Sequence, residues 1–442
     1  MKRLLFFLLV AAVLPAMGSD LRLATFRADI TPPVGAPLCA GGVKPVESVT
    51  DPLYALGLVI LGPEKPIVLC AVDWCEIRAA DHEHWRGQIA RAAGTTPERV
   101  AVQSLHQHNA PIADSIASKL CAPLPLFDIE AGERALASVS KAVAESISHA
   151  QPLTHLAYGE AKVSEVASNR RVMGNDGRVA FVRYSATKEA NVRAAPEGLI
   201  DPMLKTLSFW NGETKLAVLH WYATHPMSYY GDGKVTSDFV GLAREQRTHE
   251  DGGVPHIYFT GCAGNITAGK YNDGSPETRA VLTSRIHEAM VNSEAKAERV
   301  TVDKATWQAV PVKLAVNPLL KEDELLQLLQ NDKTPKGLRI STALKLSYLR
   351  HSAEAPIQFT SLDFGHHIRL LHLPGEAFVQ YQLFAQQQDP GGFIATASYG
   401  DGGPGYIPMR ESFAEGGYEP TQAFAAPESE QVMKDAITAL VK

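Results

Sequence analysis

Residues 56–104 contain the pattern that decides the fold. They read LGLVIL at 56–61, IVLCAV at 67–72, a helical pattern from about Asp81 to Ala93, and VAVQS at 100–104. Apolar runs of this length are typical of buried strands. Their alternation with a helix is typical of α/β proteins, in which helices and sheets pack as separate layers. We therefore predict an α/β fold.

The same alternation continues along the chain. Further strands are predicted at 179–184, 204–210, 215–221, 256–259 and 368–373, and further helices at 130–149, 377–387 and 427–442. Two charged helical stretches, 318–331 and 336–350, interrupt this order, and we interpret residues 317–350 as a helical insertion or cap on the α/β body. No unit repeats along the chain, which excludes a solenoid.

The composition excludes several classes of protein. Of the 442 residues, 45% are hydrophobic and 20% are charged, which is typical of folded globular chains and excludes disordered, collagen-like and coiled-coil proteins. The formal net charge is −6, and the lysines and arginines are scattered along the chain. We therefore expect no nucleic-acid partner, because such partners are bound by clustered basic surfaces.

The first residues have the pattern of a secretory signal peptide. Lys2 and Arg3 precede an apolar run at 4–14, which is followed by Pro15 and the small-residue pattern AMG at 16–18. We predict that residues 1–18 are removed and that residues 19–442 are secreted or periplasmic. The run is shorter than the roughly 20 residues of a membrane span, so we expect no transmembrane segment; an uncleaved N-terminal anchor is the alternative.

The five cysteines do not have the pattern of a disulfide scaffold. An odd number allows at most two disulfides, which is sparse for a chain of this length. Cys70 and Cys75 lie in a strand-like run at 66–77, where their odd separation points them to opposite faces. We therefore expect mostly buried thiols. The full set is Cys39, Cys70, Cys75, Cys121 and Cys262.

The clearest chemical motif is SLHQHNAP at 104–111, which begins where a predicted strand ends. In an extended segment residues two apart face the same way, so His106 and His108 can converge on one point. Both imidazoles could bind zinc, one could bind zinc while the other moves protons, or both could be structural. His82 and His84 have the same spacing on a predicted helix, where residues two apart diverge, and we expect them on a solvated face.

Two further candidates follow predicted strands. His225 lies in WYATHP at 221–226 and is either a site residue or a core histidine. Glu376 ends LHLPGE at 371–376 and is either an oxygen ligand or a residue favoured by the dipole of the next helix.

Two glycine-rich turns, at 260–267 and 399–406, allow backbone amides to approach a substrate closely, or are ordinary loops. The first contains a glycosylation sequon at 265–267. Because it directly follows an apolar strand, we expect no glycosylation there.

Taken in order along residues 22–425, these segments resemble the neutral ceramidases. DITPPVG at 29–35 and DPLYA at 51–55 resemble the opening of that family, HQH at 106–108 its His-Thr-His motif, and NRRV at 169–172 its arginine segment. The resemblance implies mixed β-sheets layered with helices, and a bound zinc ion. It implies four zinc ligands, which are His106, His225, Glu376 and Tyr406.

The resemblance also implies roles for residues around the zinc. His108 would assist proton transfer, Arg170 would contact the reacting amide, and Tyr418 falls where the family keeps a second active-site tyrosine. Thr267 stands where the family has a serine near the substrate, and NAP at 109–111 replaces its Ser-Gly-Pro. Neither change removes a zinc ligand. We expect no C-terminal immunoglobulin-like domain, so the resemblance implies the metal chemistry more directly than it implies ceramide as the substrate.

These inferences predict an exported zinc-dependent hydrolase that cleaves an amide bond in an N-acyl substrate, either a small molecule or a lipid. One alternative is a zinc hydrolase of another acylated or ester substrate, including a barrel-type amidohydrolase with its own His-x-His motif. The other is an exported binding protein whose site no longer turns over. Turnover of a simple N-acyl amide would exclude the binding protein.

Overall fold

The computed structural model describes residues 20–442, so the signal peptide predicted at 1–18 lies outside the described residues. The strands in this part of the chain are β1 (Arg22–Asp29), β2 (Ser48–Val49), β3 (Tyr54–Leu61), β4 (Ile67–Val72), β5 (Glu76–Ile77), β6 (Val100–Ser104), β7 (Ile112–Ala113), β8 (Gln151–Pro152), β9 (His155–Lys162), β10 (Ser168–Asn169), β11 (Arg171–Met173), β12 (Val179–Val182), β13 (Met203–Asn211), β14 (Thr214–Tyr222), β15 (Lys234–Val235), β16 (His256–Thr260), β17 (Ile266–Thr267), β18 (Glu298–Thr301), β19 (Thr306–Val312), β20 (Ile357–Asp363), β21 (Ile368–His372), β22 (Glu376–Ala377), β23 (Phe393–Ala397) and β24 (Tyr406–Ile407).

The α-helices of the same residues are α1 (Ala79–Ala93), α2 (Ser115–Leu120), α3 (Ile129–Ser146), α4 (Ala190–Ala194), α5 (Asp238–Glu250), α6 (Pro276–Ala295), α7 (Glu322–Gln330), α8 (Lys336–Glu354), α9 (Val379–Gln388), α10 (Ser412–Glu415) and α11 (Ser429–Val441). The α/β prediction is confirmed. None of these helices is long and apolar enough to cross a lipid bilayer.

Three large mixed sheets form the body of the protein. Their strand orders are β6-β4-β3-β1-β8, β16-β14-β13-β9-β18 and β19-β20-β21-β23. The strands β3 and β4 of the first sheet are buried on both faces, which explains why they consist almost entirely of apolar residues. One face packs on α1 and α3, and the other packs on the second and third sheets. Gly57 in β3 is required, because a Cβ there would lie 2.3 Å from the ring of Phe26.

Each large sheet contains one parallel pair of strands, and these pairs position the candidate residues. The pairs are β4–β6, β14–β16 and β21–β23. His106 follows β6, His225 follows β14, Glu376 follows β21 and Tyr406 follows β23 along the chain. Parallel strands have their carboxyl ends at the same edge of the sheet, so the loops that follow the two strands of each pair lie close together.

Hydrogen bonds join the carboxyl ends of the three parallel pairs. The side-chain nitrogen of Gln103 in β6 donates to two carbonyl oxygens of the third sheet region. One belongs to Leu373, just after β21, and the other to Ala397 in β23, each at 3.1 Å. Thr260 in β16 donates its hydroxyl to the carbonyl of Leu105 at 2.7 Å. These side chains are buried, so the junction of the sheets is rigid as well as polar.

The predicted helical insertion forms α7 and α8, which are displaced from the predicted bounds of 318–331 and 336–350. Leu325 and Leu329 of α7 are buried, together with Ile340 and Leu346 of α8, in a core shared with α2. Leu319, before α7, is 81% exposed. The apolar positions of this pair therefore serve mainly to pack it onto the body.

Several local predictions require correction. His82 is buried and its Nε2 lies 3.0 Å from the carbonyl oxygen of Val102, because α1 turns this face onto β6; His84 is partly exposed. The strand predicted at 179–184 ends at Val182, and the helix after Glu376 begins at Val379.

Cys75 lies beyond the end of β4, outside the strand predicted to contain it. All five cysteines are free and four are buried, as predicted.

The free energy of unfolding is expected to depend on the protonation of His372, at the end of β21. Burial lowers the pKa of this histidine to about 4, and its Nδ1 lies 3.2 Å from the hydroxyl of Thr360. In the unfolded chain the pKa returns to about 6.5. The unfolded state therefore binds the extra proton between these values, so the stabilising contribution is complete above pH 6.5 and is lost as the pH falls toward 4.

Urea unfolding at pH 7 and pH 4.5 measures this effect in the wild type and in His372→Gln. We expect the stability lost between the two pH values to be smaller in the variant by about 2–3 kcal/mol. The same loss in both proteins would show that His372 is not the group responsible.

Candidate active site

The candidate residues lie at the junction of the three sheets, beside a cavity of about 410 Å³. His106 and Glu376 are buried, while five of the other predicted site residues line the cavity. A larger cavity of about 530 Å³, near Tyr158 and Phe393, contains none of them. The five lining residues are His108, Arg170, His225, Tyr406 and Tyr418.

Two histidines converge on one carboxylate oxygen. Oε2 of Glu376 lies 3.2 Å from Nε2 of His106 and 3.0 Å from Nε2 of His225. The two imidazole rings are 4.9 Å apart between centroids. Folding thus brings together side chains that follow strands of three different sheets.

Backbone carbonyls orient both imidazoles. Nδ1 of His106 lies 3.0 Å from the carbonyl oxygen of Cys75, and Nδ1 of His225 lies 2.7 Å from that of Ala263. Because a carbonyl oxygen can only accept a hydrogen bond, each Nδ1 carries a proton, and in the neutral imidazole each Nε2 then keeps its lone pair. This is the arrangement found in histidines that bind a metal through Nε2.

The backbone at His106 differs from the sequence prediction. The strand ends at Ser104, and His106 has a φ of +68°, so the segment that carries the two histidines is not extended. The rings still lie 5.0 Å apart, because the chain turns sharply at this point. A left-handed non-glycine residue costs on the order of 1–3 kcal/mol, which surrounding contacts must offset. One of these is Tyr399, whose ring stacks on His106 at 4.3 Å.

Tyr406 reaches the same place through a short parallel ribbon. β22 and β24 pair so that Glu376 and Tyr406 are direct register partners. Paired residues lie side by side on one face of a ribbon, which brings the phenol toward the carboxylate. The hydroxyl of Tyr406 accepts a hydrogen bond from Nη1 of Arg170 at 2.9 Å, and its ring lies nearly parallel to that of His225.

These residues fit a zinc ion. The donor set of two imidazole nitrogens, a carboxylate and a phenol oxygen is of the type that zinc accepts in proteins. Nε2 of His106 is buried, and although it lies 3.2 Å from Oε2 of Glu376, the pair does not have hydrogen-bond geometry. A buried polar atom without a partner is rare and costly, and an ion bound beside Glu376 would satisfy it.

His108 is oriented differently from the two converging histidines. Its Nδ1 lies 3.7 Å from Sγ of Cys39, and its Nε2 is buried without a hydrogen-bond partner. Its ring lies 6.3 Å from that of His225 and 5.1 Å from that of Tyr230. His108 is therefore beside the candidate metal ligands and lines the cavity.

Arg170 lies between two aromatic rings on the cavity wall. Its guanidinium carbon is 5.6 Å from the ring centroid of Tyr406 and 5.2 Å from that of Tyr418. Behind it, Nε lies 3.4 Å from the fully buried carboxylate of Glu419, which also pairs with Arg171 at 2.8 Å. Burial raises the pKa of Tyr418 to about 12, so its hydroxyl keeps a proton to donate at neutral pH.

Thr267 is not brought to the cavity. It is fully buried, and its hydroxyl donates to the carbonyl oxygen of Arg183 at 3.2 Å. The nearby Asn265 is also buried, and its side chain bonds to Gln380 and to the backbone of Val379, which agrees with the expectation that the sequon is not used.

A buried ionic network behind His106 was missed by sequence reasoning. Oε1 of Glu76 lies 3.7 Å from Nδ1 of His106, and its other oxygen accepts from Arg78. Nε of Arg78 lies 3.7 Å from Asp114, which accepts at 2.8 Å from the hydroxyl of Ser347 in α8. Glu76 could have been found from its position after β4, at the same edge of the sheet as the candidate metal ligands.

Aromatic residues of the cavity wall were also missed. Tyr184, Tyr229 and Tyr230 line the cavity together with Met227. The dipeptide Tyr229–Tyr230 lies a few residues after His225, and that proximity was the available signal.

Comparison of the structure with solved structures finds ceramidase structures with closely similar architecture. The crystal structure of neutral ceramidase from Pseudomonas aeruginosa matches with a TM-score of 0.68 and 16% sequence identity, over 96% of this chain and 74% of that one. This chain has a neutral-ceramidase-like fold. A ceramidase complexed with C2 matches with the same TM-score and identity, over 96% of this chain and 75% of that one. No family model and no curated protein sequence matches.

The expected resemblance is thus confirmed at the level of the fold. At 16% identity the likeness to the ceramidase structures concerns architecture alone. What the chain does must therefore be argued from its own site.

Proposed function

We propose that this chain is an exported zinc-dependent hydrolase that cleaves the amide bond of an N-acyl substrate. The observation that carries the proposal is the convergence of two buried Nε2 atoms on Oε2 of Glu376, at 3.2 and 3.0 Å, next to a cavity. The ceramidase-like fold supports it. The exported location rests on the signal peptide predicted at 1–18.

In this proposal His106, His225, Glu376 and Tyr406 hold the ion. When bound, zinc would polarise the amide carbonyl and lower the pKa of a water molecule to about 7. The backbone carbonyls of Cys75 and Ala263 keep both histidines in the ligating tautomer. Burial raises the pKa of the Tyr406 phenol, and the nearby Arg170, which donates to its hydroxyl, partly opposes this rise, so Arg170 assists the loss of the phenol proton when the oxygen acts as a ligand.

His108 is proposed as the group that moves the proton. Its Nε2 makes no hydrogen bond within the protein and is free to accept the proton of the attacking water. The same nitrogen then returns that proton to the departing amine, whose bond to the acyl carbon breaks. An imidazole suits this task because its ordinary pKa lies near neutrality.

Arg170 and Tyr418 are proposed to stabilise the tetrahedral oxyanion. Both line the cavity and both donate hydrogen bonds. Glu419 and the flanking aromatic rings hold the guanidinium in place before substrate binds, so little reorganisation is needed during the reaction. Thr267 is left out of this set because its hydroxyl is bonded to the backbone.

The cavity favours a substrate with an apolar portion. Tyr184, Met227, Tyr229 and Tyr230 form much of the wall beside the polar groups. Mostly apolar walls with a few fixed polar groups are typical of pockets that bind organic ligands. The proposed substrate is therefore an N-acyl compound, with ceramide as one member of the class.

Zinc content and turnover test the proposal together. We expect at least one zinc per purified chain, because the four-residue ligand set retains the ion during purification. Hydrolysis of N-acyl amides should be lost on dialysis against a chelator and should recover when zinc is added. Elemental analysis and a screen of dispersed short-chain N-acyl amides and ceramide provide the measurements. A protein that contains no metal and whose activity is unchanged by the chelator would contradict the mechanism. Binding of an N-acyl compound without its hydrolysis would favour the non-catalytic alternative.

A further inference from the structure

Cys39, Cys75 and His108 form a second group of metal-ligating side chains, which we call the thiol site. Their ligand atoms all lie within 4.8 Å of one another. Sγ of Cys39 is 3.7 Å from Nδ1 of His108. We propose that the thiol site binds a thiophilic divalent cation, such as zinc or cadmium, and that the bound cation inhibits the enzyme.

Backbone hydrogen bonds hold the three ligands in place. The amide of Cys39 donates to the carbonyl of Ala110 at 2.8 Å, and the amide of Cys75 donates to that of Pro111 at 3.0 Å. Both cysteines are therefore attached to the segment that carries His108, although the three residues are distant in sequence. Little ordering remains to be done when a cation binds, which favours affinity.

The backbone at Cys39 shows that this arrangement is held against local strain. Cys39 and Ala40 have φ values of +47° and +52°, two consecutive non-glycine residues in the left-handed region. Each costs on the order of 1–3 kcal/mol, and such residues cluster at functional sites. This backbone conformation places Sγ of Cys39 next to His108.

The chemistry of the ligands selects the class of cation. Two thiolates and an imidazole are soft and borderline donors, which prefer zinc and cadmium over magnesium and calcium. Two thiolates also balance the charge of a divalent ion. Three protein ligands leave one coordination position for water or another small ligand.

The thiol site and the candidate zinc site lie back to back without sharing a ligand atom. Sγ of Cys75 is 3.9 Å from Nδ1 of His106, whose Nε2 faces Glu376 on the other side of the ring. Cys39 is only partly buried and His108 lines the cavity, so a cation has a route from solvent.

The inhibitory part rests on the proposed function, whereas the binding part does not. A cation on Nδ1 of His108 immobilises the ring and leaves the single proton of the neutral imidazole on Nε2, so Nε2 has no lone pair with which to accept the proton of the attacking water. Proton transfer at Nε2 is thereby suppressed while the zinc ligands stay in place.

Cobalt titration of the reduced, metal-free full chain tests binding directly. Thiolate-to-cobalt charge-transfer bands in the near ultraviolet arise only from sulfur ligands, which the His106–His225–Glu376–Tyr406 set does not contain. We expect two cobalt ions per wild-type chain and clear charge-transfer bands. Cys39→Ser should keep one cobalt and lose the bands, while Cys121→Ser, which removes a buried thiol elsewhere, should behave as the wild type.

The spectra can overturn the proposal without any activity measurement. A wild-type titration without charge-transfer bands, or bands that persist in Cys39→Ser, would show that the thiol site does not bind the ion. Because Cys39 is partly exposed, its variant is expected to fold even where Cys75→Ser does not.

Cadmium inhibition tests the consequence. Excess cadmium should lower turnover by roughly tenfold or more in the wild type, because a general base contributes at least that much, and should have much less effect in Cys39→Ser. Equal inhibition of both proteins would overturn the inhibitory role. Absence of any turnover without cadmium would contradict the proposed function and leave the cobalt result unaffected.

Discussion

His106→Ala is expected to lose the catalytic zinc, whereas His108→Ala is expected to keep it and to lose about 10²–10⁴-fold in kcat/KM. The difference follows from the directions of the two rings. Nε2 of His106 faces the carboxylate of Glu376 at 3.2 Å, while Nδ1 of His108 lies beside Cys39. Elemental analysis and kinetics on the same preparations measure both effects.

The two variants are best made in a Cys39→Ser background, so that metal at the thiol site is not counted. His84→Ala is the matched control, because this partly exposed histidine lies on α1 and does not line the cavity. It should retain both zinc and turnover. Equal loss of zinc from His106→Ala and His108→Ala would show that the two histidines ligate jointly and that His108 is not a proton shuttle.

Arg170→Met is expected to lower kcat/KM by about 10²–10³-fold, the usual effect of removing one donor to an oxyanion. Arg170 also contributes to stability, because its partner Glu419 is fully buried. Removing one member of a buried ion pair costs about 3–5 kcal/mol. Kinetics must therefore be measured at a temperature where thermal unfolding shows the variant to be folded.

Arg171→Met provides the matched control for this effect. Arg171 pairs with the same carboxylate at 2.8 Å but does not line the cavity. It should lose comparable stability and keep most of its turnover. If both variants lose activity in proportion to stability, then Arg170 has a structural role and not the proposed one.

Much of the fold could be predicted because its signal is local. The strands at 67–72 and 100–104 lie where the sequence predicts them, since a strand buried on both faces is mostly apolar. The polar exceptions, Gln103 and Ser104, are buried at the end of the second strand, where the sheets meet. Tyr406 was implied only by the resemblance to the neutral ceramidases, but the other three candidate ligands were found for a related reason. Each follows an apolar run, and the ends of parallel strands are where α/β folds collect functional groups.

Predictions failed where distant segments decide the outcome. His82 was placed on a solvated face because the helix pattern does not show that α1 turns this residue onto the carbonyl of Val102. Thr267 was placed near substrate by resemblance, whereas its hydroxyl bonds to the carbonyl of Arg183, 84 residues away along the chain. The convergence of His106 and His108 was inferred from an extended segment, but the backbone turns sharply at His106.

The amino-acid sequence by itself determined the α/β class, the order of the strands along the chain, and the residue types that are candidates to bind a metal. These depend on apolar periodicity and on side-chain chemistry, which are properties of neighbouring residues. Tertiary structure alone decided that three sheets meet at the carboxyl ends of their parallel pairs, and that Cys39 and Cys75 lie beside His108. Such contacts join residues far apart in the chain, and only the packing of the sheets sets the distances between them.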